Sequence, residues 1–292
     1  MRENTRTELR GDLLSMKHRI ITKKVANRIS EQFHMDEFFE HQMMYWQGLS
    51  QVERSVYLKQ LKEDGHDVKN MTYSEFYKQL AKDKQLKHFS TFNVEMMSQL
   101  LDEYQPKIIL DPCMGWGHRM LIAASRQIPY MGFDIKESVV ETNQLMLNYA
   151  ESVFGVCPSA ASACDGIEGI SKIKHGEGSM LFTCPPYHDS EIYSEDGIEN
   201  LSYQGFLDWW SDLAKTAFDS GVETFAYQIT PDYGDDMLEC MTANGYTLDK
   251  EILNTRKPKS ESDTHYNAAG EFAKRRYGRI YVFKKNENER GN

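Results

Sequence analysis

Two short stretches of the 292-residue chain combine residue types and spacings that suit ligand chemistry. The first runs Ile108-Ile109-Leu110-Asp111-Pro112-Cys113-Met114-Gly115-Trp116-Gly117-His118-Arg119. An apolar strand delivers an acidic residue into a turn with two glycines, and a helix follows. Glycine tolerates positive φ and lets a ligand approach the backbone closely. The carboxyl end of a first strand is also where open α/β sheets bind ligands. Asp111 is placed either to pair with a cationic amine or to cap the helix. No Gly-Lys-Ser/Thr follows, which excludes a P-loop, and the pattern is not GxGxxG, which argues against a dinucleotide.

The second stretch is Ser179-Met180-Leu181-Phe182-Thr183-Cys184-Pro185-Pro186-Tyr187. Two prolines directly after an apolar strand cannot continue a sheet. They fix a rigid loop whose carbonyls point in set directions. A carbonyl held this way can accept a hydrogen bond from an amine and orient the nitrogen lone pair. Tyr187 adds a flat surface on which a base can stack. Between the two stretches, Tyr130-Met131-Gly132-Phe133-Asp134-Ile135 places an acid about 20 residues past the first turn, where a carboxylate accepts hydrogen bonds from ribose hydroxyls. Asp165, after a further strand, suits contact with an adenine amine or a capping role.

The elements that must position these residues follow from periodicity. Residues 1–85 are polar, poor in Gly and free of Pro, with apolar residues at helical spacing over 36–46 and 50–63. Thr72 or Ser74 is placed to cap a helix over 75–82. This predicts a helical extension able to contact a target or a partner, including a second copy of the chain. From residue 86 onward strands and helices alternate. Strands are expected at 107–110, 130–133, 159–164, 178–183, 224–229, 247–254 and 279–284, and helices at 94–101, 119–125, 137–154, 203–218 and 235–244. Such alternation means a mainly parallel sheet with helices on both faces. The last two strands lack a helix between them, which predicts an antiparallel finish at one edge. Trp209 and Trp210 lie in a helical pattern and read as packing residues.

Asp111-Pro112-x-x-Gly115-x-Gly117 followed by Thr183-Cys184-Pro185-Pro186-Tyr187 resembles the S-adenosylmethionine-dependent amino-methyltransferases of DNA, which act on adenine N-6 or cytosine N-4. The resemblance covers residues 86–285, with the cofactor motif before the catalytic one. It implies a doubly wound, seven-stranded, mostly parallel sheet of the Rossmann-like class I methyltransferase type. It implies a catalytic turn of Cys184, Pro185, Pro186 and Tyr187. The cofactor, released as S-adenosylhomocysteine, would be held by Asp111, Pro112, Cys113, Gly115, Gly117, Asp134, Ile135, Asp165 and Thr183. Phe92, in His88-Phe89-Ser90-Thr91-Phe92, would close over its methionine part. One position departs from the family: Cys184 stands where Asp, Asn or Ser accepts a hydrogen bond from the target amine, and a thiol is a weak acceptor. An RNA base or a protein amide as acceptor, or a cofactor-binding subunit without activity, therefore stays open.

Charge bears on the partner. The net charge is −10, which argues against a chain coated in nucleic acid. By count, however, residues 1–28 carry about +5 and residues 256–279 about +4. The second stretch includes Arg256, Lys257, Arg275 and Arg276, which together with His188 are candidate substrate contacts in a phosphate-tracking groove. Nucleic acid, DNA before RNA, is the expected partner, and residues 257–276 are read as a loop. No apolar run reaches the roughly 20 residues of a membrane span. The five cysteines form no CxxC pair, so no metal and a reducing cytoplasm are expected. The resemblance adds a bacterial, archaeal or phage-infected cell as the setting.

Overall fold

The computed structural model describes residues 12–13, 23–84, 86, 92, 94–186, 197–229, 234–253, 264–266, 272–274 and 279–286. Seven strands form one sheet in the order β3-β2-β1-β4-β5-β9-β6. They are β1 (Ile108–Asp111), β2 (Tyr130–Asp134), β3 (Ser159–Ala163), β4 (Ser179–Thr183), β5 (Thr224–Ile229), β6 (Tyr246–Leu253) and β9 (Arg279–Lys285). Neighbours among β1 to β5 pair in parallel, whereas β9 runs antiparallel to both β5 and β6. This is the expected doubly wound, seven-stranded, mostly parallel Rossmann-like sheet.

The expected antiparallel finish at one edge is present: β9 inserts between β5 and β6 and pairs antiparallel with both, and β6 forms the edge. Insertion buries Ile280, Tyr281, Val282 and Phe283 on alternating faces, which an edge position would leave half exposed. One expectation needs correction: residues 257–276 are not one loop, because β7 (Thr264–Tyr266) and β8 (Phe272–Lys274) pair as a short antiparallel hairpin.

The central strands are apolar throughout because both faces are covered. One face of the sheet carries α5 (Val94–Tyr104), α6 (His118–Ser125) and α7 (Glu137–Phe154), which bury Met97, Leu121 and Leu147 against Ile109, Met180, Phe182, Ala226 and Val282. The other face carries α8 (Gly166–Ser171), α9 (Tyr203–Asp219) and α10 (Gly234–Ala243), with Trp210, Leu213 and Met241 against Leu181, Phe225 and Tyr227. Trp210 is fully buried and Trp209 partly so, both within this packing. The short α8, which the sequence pattern did not announce, starts at Asp165: its Oδ1 accepts from the backbone N–H groups of Ile167 and Glu168.

Before residue 86 lie α1 (Lys23–Phe33), α2 (Met35–Gly48), α3 (Gln51–Glu63) and α4 (Tyr73–Asp83). Capping boxes start α3 (Ser50 with Glu53) and α4 (Thr72 with Glu75), each satisfying two N–H groups that a helix start leaves unpaired. The last three helices share a small core of Phe39, Tyr57, Leu61, Tyr77 and Leu80. The extension is packed onto the sheet region: Leu13, Ala26 and Ile29 belong to the same buried cluster as Met120, Met146 and Ile109.

Candidate functional site

The glycine turn after β1 is fixed from below by a buried charge network. Asp111 is fully buried, and its carboxylate accepts from Arg119 Nε at 2.5 Å, from Arg119 Nη2 at 3.1 Å, from the Tyr130 hydroxyl at 2.6 Å and from the Cys113 N–H at 3.3 Å. Arg119 also donates to the Cys113 carbonyl. Burial works against the Arg119 charge, but the Asp111 carboxylate outweighs it and holds the guanidinium protonated more firmly than usual. Burial and the same carboxylate push the Cys113 thiol well up. A bidentate Arg–carboxylate pair with its remaining lone pairs satisfied is the geometry in which a buried charge pair is tolerated.

From the side, the turn is held by the helical extension. Trp116 sits between the two glycines and packs against the small helical core, edge-on to the His34 ring at 5.5 Å. Its carbonyl accepts from Ser30 Oγ at 2.8 Å. The Gly115 carbonyl accepts from Asn143 Nδ2 at 2.7 Å, and Asn143 Oδ1 shares a 2.9 Å hydrogen bond with His34 Nε2. Ser30 of α1, His34 at the start of α2 and Asn143 of α7 thus converge on Gly115 and Trp116.

The two glycines do different work. Both have positive φ, 48° at Gly115 and 70° at Gly117. A Cβ on Gly115 would meet nothing within 4 Å, whereas one on Gly117 would strike Asn143 Oδ1 and Met146 Cε. Gly115 therefore borders free space a ligand can enter, while Gly117 lets α6 close on α7. Gly115 N–H donates to Asp134 Oδ2 at 3.1 Å, and Asp134 Oδ1 accepts from Lys136 N at 3.0 Å. Burial raises the Asp134 carboxyl above its ordinary value, partly offset by those two N–H groups. Ile135, next in sequence, is 49% exposed, an apolar surface at the strand end where a flat ring could rest.

The second turn leaves β4 beside the first. Leu110 pairs with Leu181 in parallel register, so both turns emerge from adjacent strands at the same carboxyl rim. Thr183 is fully buried and lies beneath the turn; Cys184 and Pro186 are partly exposed and Pro185 is buried. Phe92 packs between β4 and α6, edge-on to Phe182 at 5.6 Å and under the Arg119 guanidinium at 5.1 Å.

Asp111, Asp134, Pro112, Cys113, Gly115, Gly117, Phe92, Thr183, Cys184, Pro185 and Pro186 thus gather at one rim. Asp111 and Thr183 offer no accessible surface and act from behind the turns, with Asp111 bound to Arg119 and not to an incoming amine. Asp165 lies just past β3 at this rim, with Oδ1 spent as a helix cap. Tyr187, His188, Arg256, Lys257, Arg275 and Arg276 lie outside the described residues. Of the basic residues counted with the two positive stretches, Arg28 pairs with Asp12 and Arg279 with Glu251, so neither is an unengaged charge for phosphate. Among the described residues no group of acidic, His or Cys side chains could hold a metal, and no helix is long and apolar enough to cross a membrane.

Sequence reasoning passed over Arg119, Tyr130, Ser30, His34 and Asn143. Only Asn143 leaves a readable trace: it interrupts the apolar stripe Val139, Val140, Met146, Leu147, Ala150 of α7.

No protein-family model and no curated protein matches the chain. Among solved structures it is similar to magnesium protoporphyrin IX methyltransferase from Synechocystis with bound S-adenosylmethionine, at 11% identity and TM-score 0.43, covering 66% of this chain and 77% of that one. It is similar to TrmN from Thermus thermophilus at 15% identity and TM-score 0.44, covering 67% of this chain and half, 50%, of that one. A precorrin 8W decarboxylase from Methanobacterium thermoautotrophicum is similar to the same degree, at 13% identity and TM-score 0.42, covering 67% and 92%. Likeness at this level is a likeness of fold, and function must be argued from the site.

Proposed function

We propose that the chain transfers a methyl group from S-adenosylmethionine to an exocyclic amine of a nucleobase, in DNA at adenine N-6 or cytosine N-4. The observation that carries this reading is the placement of the glycine turn and the Cys184-Pro185-Pro186 turn on adjacent strands at one rim of the sheet.

The residues present fit such a cofactor. Gly115 faces open space, Asp134 keeps lone pairs for ribose hydroxyls, and Ile135 exposes an apolar surface for the adenine ring. Asp165 Oδ2 makes no hydrogen bond among the described residues and is the candidate for the ring amine. When bound, the cofactor would supply an electrophilic methyl, transferred to the nitrogen with the carbon–sulfur electron pair left on sulfur and the amine proton released to solvent. The chain does the positioning. Pro185 and Pro186 hold carbonyls that accept from the target amine, Tyr187 stacks on the base, and Phe92 keeps the rim dry. Acceleration then comes mainly from orientation and water exclusion. A base extruded from a duplex, or taken from a single strand, repays its unstacking through these contacts. In this reading the basic residues Arg256, Lys257, Arg275 and Arg276, with His188, meet the nucleic acid. The helices before residue 86 add target or partner contacts.

Pro186→Ala and Tyr187→Ala test the assignment. Both should retain S-adenosylhomocysteine binding by calorimetry and lose methyl transfer. Mass spectrometry of nucleosides from DNA and RNA of expressing cells identifies the acceptor. Modified nucleosides in RNA alone would move the substrate to RNA, and a fully active Pro186→Ala enzyme would remove the turn from the reaction.

A further inference from the structure

A nitrogen lone pair delocalised into a ring becomes nucleophilic when acceptors take its N–H groups. The Pro185 and Pro186 turn supplies carbonyl acceptors, but the side chain at its start is the thiol of Cys184, a weak one. The neighbouring strand carries a better acceptor. Thr183 pairs with Tyr227 in parallel register, so one residue further Gln228 stands beside Cys184 on strands roughly 4.8 Å apart. Phe182 and Ala226 both face the cluster beneath α5, α6 and α7, and Cys184 packs against that same cluster. Alternation puts Gln228 on the same face, opposite Ile280 of β9. Gln228 is only 9% exposed. Its Oε1 is shielded from solvent and has no hydrogen-bond partner among the described residues.

A buried amide oxygen without a partner costs stability, and such groups are rare enough to need a reason. The rest of β5, Thr224-Phe225-Ala226-Tyr227 and Ile229, is buried strand; the Tyr227 hydroxyl also lacks a partner among the described residues, but it lies on the opposite face of the sheet. An apolar residue at 228 would fill the position without the cost of an unpaired amide.

Building on the proposed methyl transfer, we infer that Gln228 contacts the substrate: its Oε1 accepts a hydrogen bond from the amine that becomes methylated, in the role Cys184 cannot fill. Its NH2 then faces the ring nitrogen beside that amine. An exocyclic amine next to a ring acceptor is the pair that adenine and cytosine present, and a side-chain amide matches it with two hydrogen bonds.

The test compares Gln228→Leu and Gln228→Glu with the parent chain. Three quantities are read: S-adenosylhomocysteine affinity, thermal midpoint, and single-turnover methyl transfer to single-stranded oligodeoxynucleotides in which adenine or cytosine is the sole amino-bearing base. Gln228→Leu should bind cofactor product as the parent does, melt at the same temperature or higher, and transfer about 10- to 100-fold more slowly. Gln228→Glu keeps an acceptor and should recover part of the rate. A parent-like rate in Gln228→Leu, or a lowered midpoint matched by weaker product binding, would assign Gln228 to packing alone and leave the methyl-transfer reading standing. A parent chain that methylates neither oligonucleotide nor cellular nucleic acid would instead take down the proposed function and this contact with it.

Discussion

The two turns at the rim are held by opposite means. The glycine turn after β1 is soft in itself, with two glycines at positive φ, and is fixed by its surroundings: a buried Asp111–Arg119 pair below, Ser30, His34 and Asn143 at the side, Asp134 in front. The turn after β4 needs no such scaffold, because two consecutive prolines restrict its backbone. One region takes its shape from tertiary contacts, the other from covalent structure. Damage should therefore spread differently: substitutions far from the rim disturb the first turn, and only substitutions within it disturb the second.

Removing the arginine should break the comparison most sharply. Arg119→Met strands the Asp111 carboxylate in the core, and a buried pair broken on one side costs about 3–5 kcal/mol. Urea unfolding should register that loss, and Asp111→Asn on top of it should recover part. If Arg119→Met unfolds like the parent chain, the glycine turn is not held from below.

The two glycines come next. Gly117→Ala combines a strained φ with a clash against Asn143 and Met146, worth about 2–4 kcal/mol together. Gly115→Ala carries the strain alone, about 1 kcal/mol, because its Cβ would project into open space. Its larger effect should fall on cofactor affinity. Equal melting temperatures for the two variants would erase the distinction between a packing glycine and a ligand-facing one.

Smaller still is the lateral clamp. Ser30→Ala removes one hydrogen bond to Trp116, about 1 kcal/mol, from a residue over 80 positions away in sequence. A modest weakening of cofactor binding with unchanged helix content by circular dichroism is the expected result. No change in either affinity or stability would reduce the extension to a bystander of the site.

Acidification should produce the gentlest effect. Burial raises the Asp134 carboxyl, and ribose hydroxyls donate to its ionised form. Cofactor affinity should thus begin to fall at a higher pH than an ordinary aspartate would give. For the ligand-free chain the sign is reversed: folding disfavours the ionised form, so this residue's contribution improves as pH falls through its raised value. In Asp134→Asn the acid limb of the binding curve should disappear.

Strand identity, strand–helix alternation and both turns could be read from the chain, because each depends on local facts: apolar runs of strand length, glycine after an acid, prolines where a sheet must stop. The caps at Thr72 and Asp165 are of the same kind. Side-chain roles within the turns were harder. Asp111 looked free to meet an amine, since nothing in Asp-Pro-Cys-Met announces that Arg119, eight residues on, will turn back to it.

What the sequence determined alone is the inventory: a doubly wound sheet and two loops, one bent by glycines after an acid and one stiffened by prolines, each set by short-range sterics. The folded structure decided how these parts serve one another. It inserted β9 inside the sheet, where burial of four consecutive residues outweighs an edge position, and seated the first helices against the glycine turn. It also brought Gln228 beside Cys184. Those choices depend on which surfaces meet after the chain closes, and residues more than 40 positions apart in sequence carry no local mark of being neighbours.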